Sequence, residues 1–277
     1  MNLLLVRERL KKFFLEDIGD LDMTSQSIFP SSQKGSATFK VKQSGIIAGL
    51  PIIQEGFRLL DTSIQVELLV QEGKHVEKGN AIAQVHGPVA HLLTGERVIL
   101  NLLQRMSGIA TMTNIAIQTL KDPSIRICDT RKTTPGLRAF EKYAVTVGGG
   151  KNHRKGLYDG VMIKDNHISF CGSITKAVQK ARENVGHMVK IEVETETLEQ
   201  VKEAVAAKAD VIMFDNRSPE EIRQFMKHVP EYIVTEASGG ITLDTIANYA
   251  HTGVDYISLG FLTHSVTSLD ISVNVDM

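Results

Sequence analysis

Residues 188–215 read MVKIEVETETLEQVKEAVAAKADVIMFD, two apolar strands ending at Glu194 and Asp215 and separated by enough chain for one helix. The run VIMF does not alternate between apolar and polar residues, as expected of a strand buried on both faces, which parallel sheets require. The same rhythm extends both ways, through IRICD (125–129), DGVMIK (159–164), YIVTEAS (232–238) and DYISLG (255–260). The last three strand ends succeed one another at roughly twenty-two residues, the length of one helix plus one strand. Each run closes on a charged or small residue, and in a parallel β/α barrel such C-terminal strand ends converge on one mouth where chemistry sits. An open doubly wound sheet would fit the same rhythm. The absence of a glycine fingerprint after the first strand favours the barrel.

Upstream the pattern changes. Leu3, Val6, Leu10, Phe13 and Phe14 recur near helical spacing and predict an amphipathic helix ending before Gly19. From Ser36 to about Val85 short extended runs alternate with Gly45, Gly49, Gly73 and Gly79, a strand-rich region in which QEGKHVEKGNAIAQVHGP (71–88) reads as a packed hairpin. Residues 89–120 read helical, with Gly95 and Gly108 as points of interruption. Their broad apolar face, from Leu92 through Met112, fits either a subunit or domain interface or a fully buried core helix.

Composition narrows the function classes. The 277 residues carry a formal net charge of −1, which gives no global pull toward nucleic acid or an anionic membrane. With 42% hydrophobic and 23% charged residues the chain is globular, and no apolar run approaches the roughly 20 residues of a membrane span. Two cysteines, Cys128 and Cys171, argue against a disulfide framework, and the short apolar N-terminus against a signal peptide; the expectation is a cytoplasmic protein.

Charge is organised locally instead. Arg131, Lys132, Arg138, Lys142, Lys151, Arg154, Lys155 and Lys164 face only Glu141 and Asp159 between residues 131 and 164. A basic surface helix would give the same composition, but Arg131 and Lys132 come just after one strand end, Lys164 closes the next, and His153-Arg154 lie in the glycine-rich connection between them. Bidentate guanidinium and point-charge ammonium groups placed so suit a polyanionic small molecule. The next two strand ends carry Glu192, Glu194 and Asp215. Carboxylates beside a phosphate site suggest Mg²⁺ or ribose contact; the alternative is that they are ion-pair partners of the basic cluster. The last two ends, Ser238-Gly239-Gly240 and Gly260 with His264 beyond it, let backbone N–H groups approach a phosphate.

At these residues the chain resembles the quinolinate phosphoribosyltransferase family. The segments that carry the likeness are EDIGDLDMTS (16–25), TGERVILNLLQRMSGIAT (94–111), DTRKTTPGLRAFEKYAV (129–145), GGGKNHRKGLYDGVMIKDNHI (148–168), IEVET, FDN, EASGGI and GFLTHS. The resemblance implies an α/β fold: an N-terminal open α/β sandwich over residues 1–105, completed by the tail 266–277, and an incomplete seven-stranded parallel β/α barrel over 106–265. It also implies a homodimer with shared active sites, or a higher oligomer, with no nucleic acid and no membrane among its partners.

The reaction implied joins quinolinate to phosphoribosyl pyrophosphate with Mg²⁺, giving nicotinate mononucleotide, pyrophosphate and CO₂ in de novo NAD biosynthesis. By resemblance Arg131, His153 and Arg154 hold the quinolinate carboxylates with Arg97 of a neighbouring subunit. Lys132 and Lys164 bind the sugar pyrophosphate. Glu194 and Asp215 contact ribose and the metal, directly or through water, and Ser238, Gly239, Gly240, Gly260 and His264 cradle the 5′-phosphate. Two other enzymes fit parts of the pattern: a Schiff-base aldolase using Lys164 at its strand end, and a related homologue acting on another base. A non-enzymatic carrier or assembly protein built on the first 120 residues is the remaining rival.

Overall fold

The computed structural model describes residues 1–276. Residues 1–112, 139–148 and 266 onward form one compact unit, and residues 113–138 and 149–265 a second. The chain begins with α1 (Leu3–Ile18), α2 (Met23–Ile28), β1 (Lys34–Val41), β2 (Gly45–Ile46), α3 (Leu50–Leu60), β3 (Gln65–Leu68), β4 (His75–Val76), β5 (Ala81–Pro88) and the long α4 (Val89–Leu120). It continues with β6 (Arg126–Cys128), α5 (Arg138–Val147), β7 (Val161–Ile163), α6 (Asp165–Cys171), α7 (Ile174–Asn184), β8 (Ile191–Thr195), α8 (Leu198–Ala206) and β9 (Val211–Asp215). Then come α9 (Pro219–Met226), β10 (Val234–Ser238), β11 (Tyr256–Ser258), the short α10 (Phe261–His264) and β12 (Ile271–Asp276).

In the first unit a four-stranded antiparallel sheet runs in the order β12, β1, β5, β3, the C-terminal strand pairing with β1 in the register Phe39–Val273 and Val41–Ile271. Helix α1 starts where the Asn2 side chain accepts the Leu4 N–H at 3.1 Å and ends at Gly19, whose φ of 59° suits the residue without a Cβ. Val6, Leu10 and Phe14, four apart, are its buried stripe. The stretch Leu50–Leu60, which the sequence reading leaves within the strand-rich region, is helix α3: Pro51 sits in its first turn, where no N–H is required, and Ile52, Ile53 and Phe57 are buried. Nor do β4 and β5 form the expected hairpin with each other. β4 pairs with β2, while β5 lies between β1 and β3.

Helix α4 is not interrupted. A Cβ on Gly95 would lie 2.6 Å from Leu60 Cδ1, and one on Gly108 would collide with the Thr267 carbonyl, so both glycines serve close approach rather than breakage. Its apolar breadth is consumed inside the chain: Leu92, Ile99, Leu102, Leu103, Met106 and Ile109 are all buried. Burial within the chain, as the core reading of that face expects, accounts for these residues.

The second unit is built on six parallel strands in the order β6, β11, β10, β9, β8, β7. Ile191, Val193, Ile212, Phe214 and Ala237 are fully buried, in keeping with strands covered on both faces. The seventh strand position is reduced to a single parallel bridge between Lys151 and Cys128. Among the described residues nothing pairs β7 with that bridge segment, so the sheet is not closed into a ring. Helix α5, which the chain order places between β6 and β7, belongs almost wholly to the first unit, where Arg105 Nη2 meets Glu141 Oε1 at 2.7 Å. Among the described residues no helix is long and apolar enough to cross a membrane.

Candidate active site

At the C-terminal ends of the second unit's strands lies a cavity of about 470 Å³. Thr130, Arg131, Lys132, His153, Arg154 and Lys164 form its basic side, Glu194 and Asp215 its acidic side, and Ser238, Gly239 and Gly240 its small-residue edge; Met162, Met213, Asn216 and Ser258 also line it. Of the expected site residues, Arg97, Gly260 and His264 are not in this lining. Gly260 and His264 adjoin it through Lys132: a Cβ on Gly260 would lie 3.0 Å from His264 Cδ2 and 3.3 Å from Lys132 Cδ, and Thr263 Oγ1 donates to the Lys132 carbonyl at 2.8 Å. Arg97 is an exposed residue of α4, in the first unit.

The basic side is held by its own backbone. Buried Asp129 accepts from Asn152 Nδ2 at 2.6 Å and from the His153 N–H at 2.9 Å, fixing the connection beyond the Lys151 bridge. Arg154 Nη1 donates to the Gly160 carbonyl at 3.2 Å, and burial, with Arg131 beside it, holds the guanidinium below the ordinary arginine value. Arg131 Nε is buried without a hydrogen-bond partner. Two guanidinium groups crowded together with an unmet donor are short of negative charge, which a dianionic ligand supplies. His153 lines the same cavity, yet its nitrogens turn toward the protein: Nδ1 accepts the Arg154 N–H at 2.7 Å, and Nε2 lies 3.0 Å from Glu192 Oε2.

On the acidic side the ion-pair alternative is the one seen directly. Lys164 Nζ donates to Glu194 Oε2 at 2.5 Å, so Glu194 is an ion-pair partner of the basic cluster. Burial first, then the neighbouring Glu194 carboxylate and a hydrogen bond to it, push Asp215 up to about 6. Two carboxylates that raise one another's proton affinity in one cavity are a hard oxygen donor set of the kind a divalent cation takes, so Glu194 and Asp215 fit Mg²⁺.

Asn216, within the FDN segment but not singled out as a site residue, organises the small-residue edge. It adopts φ 53°, its N–H donates to the Ser238 carbonyl at 2.8 Å, and its side chain donates to Asp215 Oδ2 at 2.7 Å. Gly239, at φ 86°, has no room for a Cβ because the Asn216 amide and backbone nitrogen occupy that space.

Sequence reasoning also missed Glu236 and Ser258. Glu236 lies inside strand β10, 4% exposed, and accepts from the Ser258 hydroxyl. Burial and the nearby Glu192 push its carboxyl up to about 7. Because this folded-state value lies above the ordinary glutamate value, the fold binds the proton more tightly than the unfolded chain. Stability is therefore lost as pH rises through the window between the two. Glu236→Gln, which cannot ionise, should melt a few degrees above the parent at pH 8 and close to it at pH 4. A parent that gains on the variant with rising pH would contradict a buried, proton-holding Glu236.

The quinolinate phosphoribosyl transferase N-terminal domain matches residues 22–107 and its C-terminal domain residues 109–274. A probable nicotinate-nucleotide pyrophosphorylase (carboxylating) of Bacillus subtilis (strain 168) is 61% identical over 277 residues, covering 100% of this chain and 96% of that protein. The crystal structure of NadC from Streptococcus pyogenes superposes with a TM-score of 0.96 at 40% identity, over 99% of this chain and 97% of that one. A nicotinate-nucleotide pyrophosphorylase from Francisella tularensis gives 0.94 at 36% identity, over 100% and 98%. With both domains matched across nearly its whole length, the chain belongs to the quinolinate phosphoribosyl transferase family.

Proposed function

We propose that this protein transfers the phosphoribosyl group of phosphoribosyl pyrophosphate to quinolinate with decarboxylation, producing nicotinate mononucleotide, pyrophosphate and CO₂ for de novo NAD biosynthesis. The observation that carries the reading is one cavity that brings together two guanidinium groups, two lysines, two carboxylates and a glycine-rich edge. A flat aromatic dianion and a sugar bearing phosphate at both ends need those groups side by side.

Arg131 and Arg154 bind the quinolinate carboxylates and orient the ring nitrogen toward C1 of the sugar. As the nitrogen lone pair forms the new bond, the bond from C1 to pyrophosphate breaks and its electron pair leaves with the pyrophosphate. Lys132 and Lys164 face that growing negative charge, so catalysis is chiefly electrostatic. The 2-carboxylate then departs as CO₂, its bond electrons passing to C2 beside the pyridinium nitrogen, and C2 takes up a proton. Glu194 and Asp215 contact the ribose hydroxyls and would hold Mg²⁺, directly or through water. When bound, the metal adds charge neutralisation on the pyrophosphate. Ser238, Gly239 and Gly240 receive the 5′-phosphate, with Gly260 and His264 next to Lys132 extending that edge.

A cytoplasmic location is supported by two cysteines that remain unbridged. A homodimer or higher oligomer with shared sites is supported by Leu157, Tyr158 and Phe170, which stand 74%, 82% and 93% exposed on segments just beyond Arg154 and Lys164. The direct test is release of CO₂ from carboxyl-labelled quinolinate. It should require the sugar pyrophosphate and a divalent cation and match nicotinate mononucleotide formed. Release without the sugar, or none with both substrates, would sink the proposal, and borohydride trapping of a carbonyl compound on Lys164 would point to the aldolase instead.

Arg154→Ala should leave the melting profile near that of the parent while raising KM for quinolinate about ten- to a hundredfold, the cost of one charge-assisted bidentate contact. KM for the sugar substrate should hardly move. Steady-state kinetics decide it, and an unchanged quinolinate KM removes Arg154 from the carboxylate site.

A further inference from the structure

Beneath the basic side of the cavity runs a line of side chains that the reaction as described does not use. The Ser258 hydroxyl donates to Glu236 Oε1; Glu236 Oε2 lies 3.6 Å and Glu192 Oε2 3.0 Å from His153 Nε2; and His153 Nδ1 accepts the Arg154 N–H at 2.7 Å. Both carboxylates are buried, Glu192 being 6% and Glu236 4% exposed. They project from β8 and β10, and Ser258 from β11.

Two functions could explain such a cluster. The three ligand atoms of His153, Glu192 and Glu236 lie within 4.8 Å of one another, a spacing that a metal ion could bridge. Ligation, however, needs a free lone pair on Nε2. Nδ1 already accepts a backbone N–H, so the single proton of a neutral imidazole resides on Nε2 and that nitrogen is a donor. The hydrogen-bonding pattern therefore opposes a metal and makes Glu192 the acceptor that fixes the ring.

A fixed ring in turn fixes the backbone of Arg154. Asp129 holds Asn152 and the His153 backbone from one side. The His153 ring, braced by Glu192, holds the Arg154 N–H from the other. The guanidinium of Arg154 leaves this clamp and rests against Gly160 and Met162. In this arrangement His153 has no N–H left for a ligand, and its contribution to carboxylate binding passes through Arg154.

We propose that Glu192, backed by Glu236 and Ser258, is a positioning residue that aims Arg154 at the quinolinate carboxylate by holding His153 in its Nε2–H form. The inference rests on the quinolinate reading for its kinetic consequence but not for its structural one. Loss of the clamp should weaken the dicarboxylate half-site and leave the sugar half-site alone.

The test uses the full chain with ¹⁵N-labelled histidine, the His153 signal being assigned by its absence in His153→Gln. Glu192→Leu, which removes the acceptor, should raise KM for quinolinate about tenfold with kcat and the sugar KM within about twofold, and should convert the ring from Nε2–H to a mixture of tautomers. Glu192→Gln keeps an acceptor oxygen while losing the charge, so it should restore both the tautomer and a near-parent KM. If Glu192→Leu does not fold, Ser258→Ala is the second variant, with a smaller rise in the same constant. The clamp is overturned if the ring stays Nε2–H in Glu192→Leu, if both Michaelis constants rise together, or if the glutamine variant is as impaired as the leucine one. Should the parent protein not convert quinolinate at all, the functional reading fails, and the tautomer of Glu192→Leu alone then decides the clamp.

Discussion

Lys164→Ala should lower turnover by about two to three orders of magnitude, a far larger effect than its change in affinity for either substrate. The lysine stands at the end of β7 with its side chain 44% exposed and its ammonium 2.5 Å from Glu194. Removing so exposed a side chain creates no cavity, and the fold should persist. The chemistry has no such reserve, because the charge on departing pyrophosphate grows only as the C1 bond breaks, and a group opposing that growth acts on the transition state more than on the ground state. The ion pair adds a second consequence. Without the ammonium, Glu194 and Asp215 face each other with less compensation, which pushes Asp215 further up. Lys164→Arg should rescue poorly, since a planar fork cannot replace a compact point charge between two carboxylates. Circular dichroism, melting temperature and steady-state kinetics on both variants check this, and near-parent turnover in the alanine variant refutes the assignment.

The strand-end residues were legible because parallel strands joined by helices convert chain order into position: the C-terminal ends of neighbouring strands come together along one edge of the sheet. Lys164, Glu194, Asp215 and Ser238 come together for that reason. Glu236 escapes the same logic, because it lies before the end of β10 and is buried, and Ser258 escapes it because the sequence reading runs that strand on to Gly260 whereas β11 ends at Ser258. Buried polar groups there are legible only once the register places one beside the other. Glu192 carried a signal, sharing a side of its strand with Glu194 at period two, but its role turns on the ring of His153, far away in sequence. Helix α3 was hidden by glycines at 45 and 49 that read as strand punctuation, although Gly49, at φ 108°, in fact precedes the first helical turn. At Gly95 and Gly108 the same residue type means close approach within an unbroken helix. Glycine announces a special backbone or a tight contact, and local sequence does not say which.

Two inactive variants should restore activity to each other. Arg97 is exposed on α4, with no hydrogen-bond or ion-pair partner among the described residues. The cavity is lined entirely by the second unit and offers Arg131 and Arg154 to a dianion. The apolar face of α4 is spent within the chain and argues for no partner; the case for a neighbour is the unpaired Arg97 and the exposed Leu157, Tyr158 and Phe170. If Arg97 completes the carboxylate site of a second subunit, Arg97→Ala and Arg154→Ala should each be nearly inactive at low quinolinate while remaining folded oligomers. In a mixed dimer one site carries both defects and the other neither. Random exchange makes about half the dimers mixed, so about a quarter of parent sites should return if the two defects act independently. Sites formed within one subunit would all stay defective, whatever the mixing. Exchange is tracked by mass-tagged subunits, and proven exchange without recovered activity eliminates the shared site while leaving Arg154 in its own subunit's cavity.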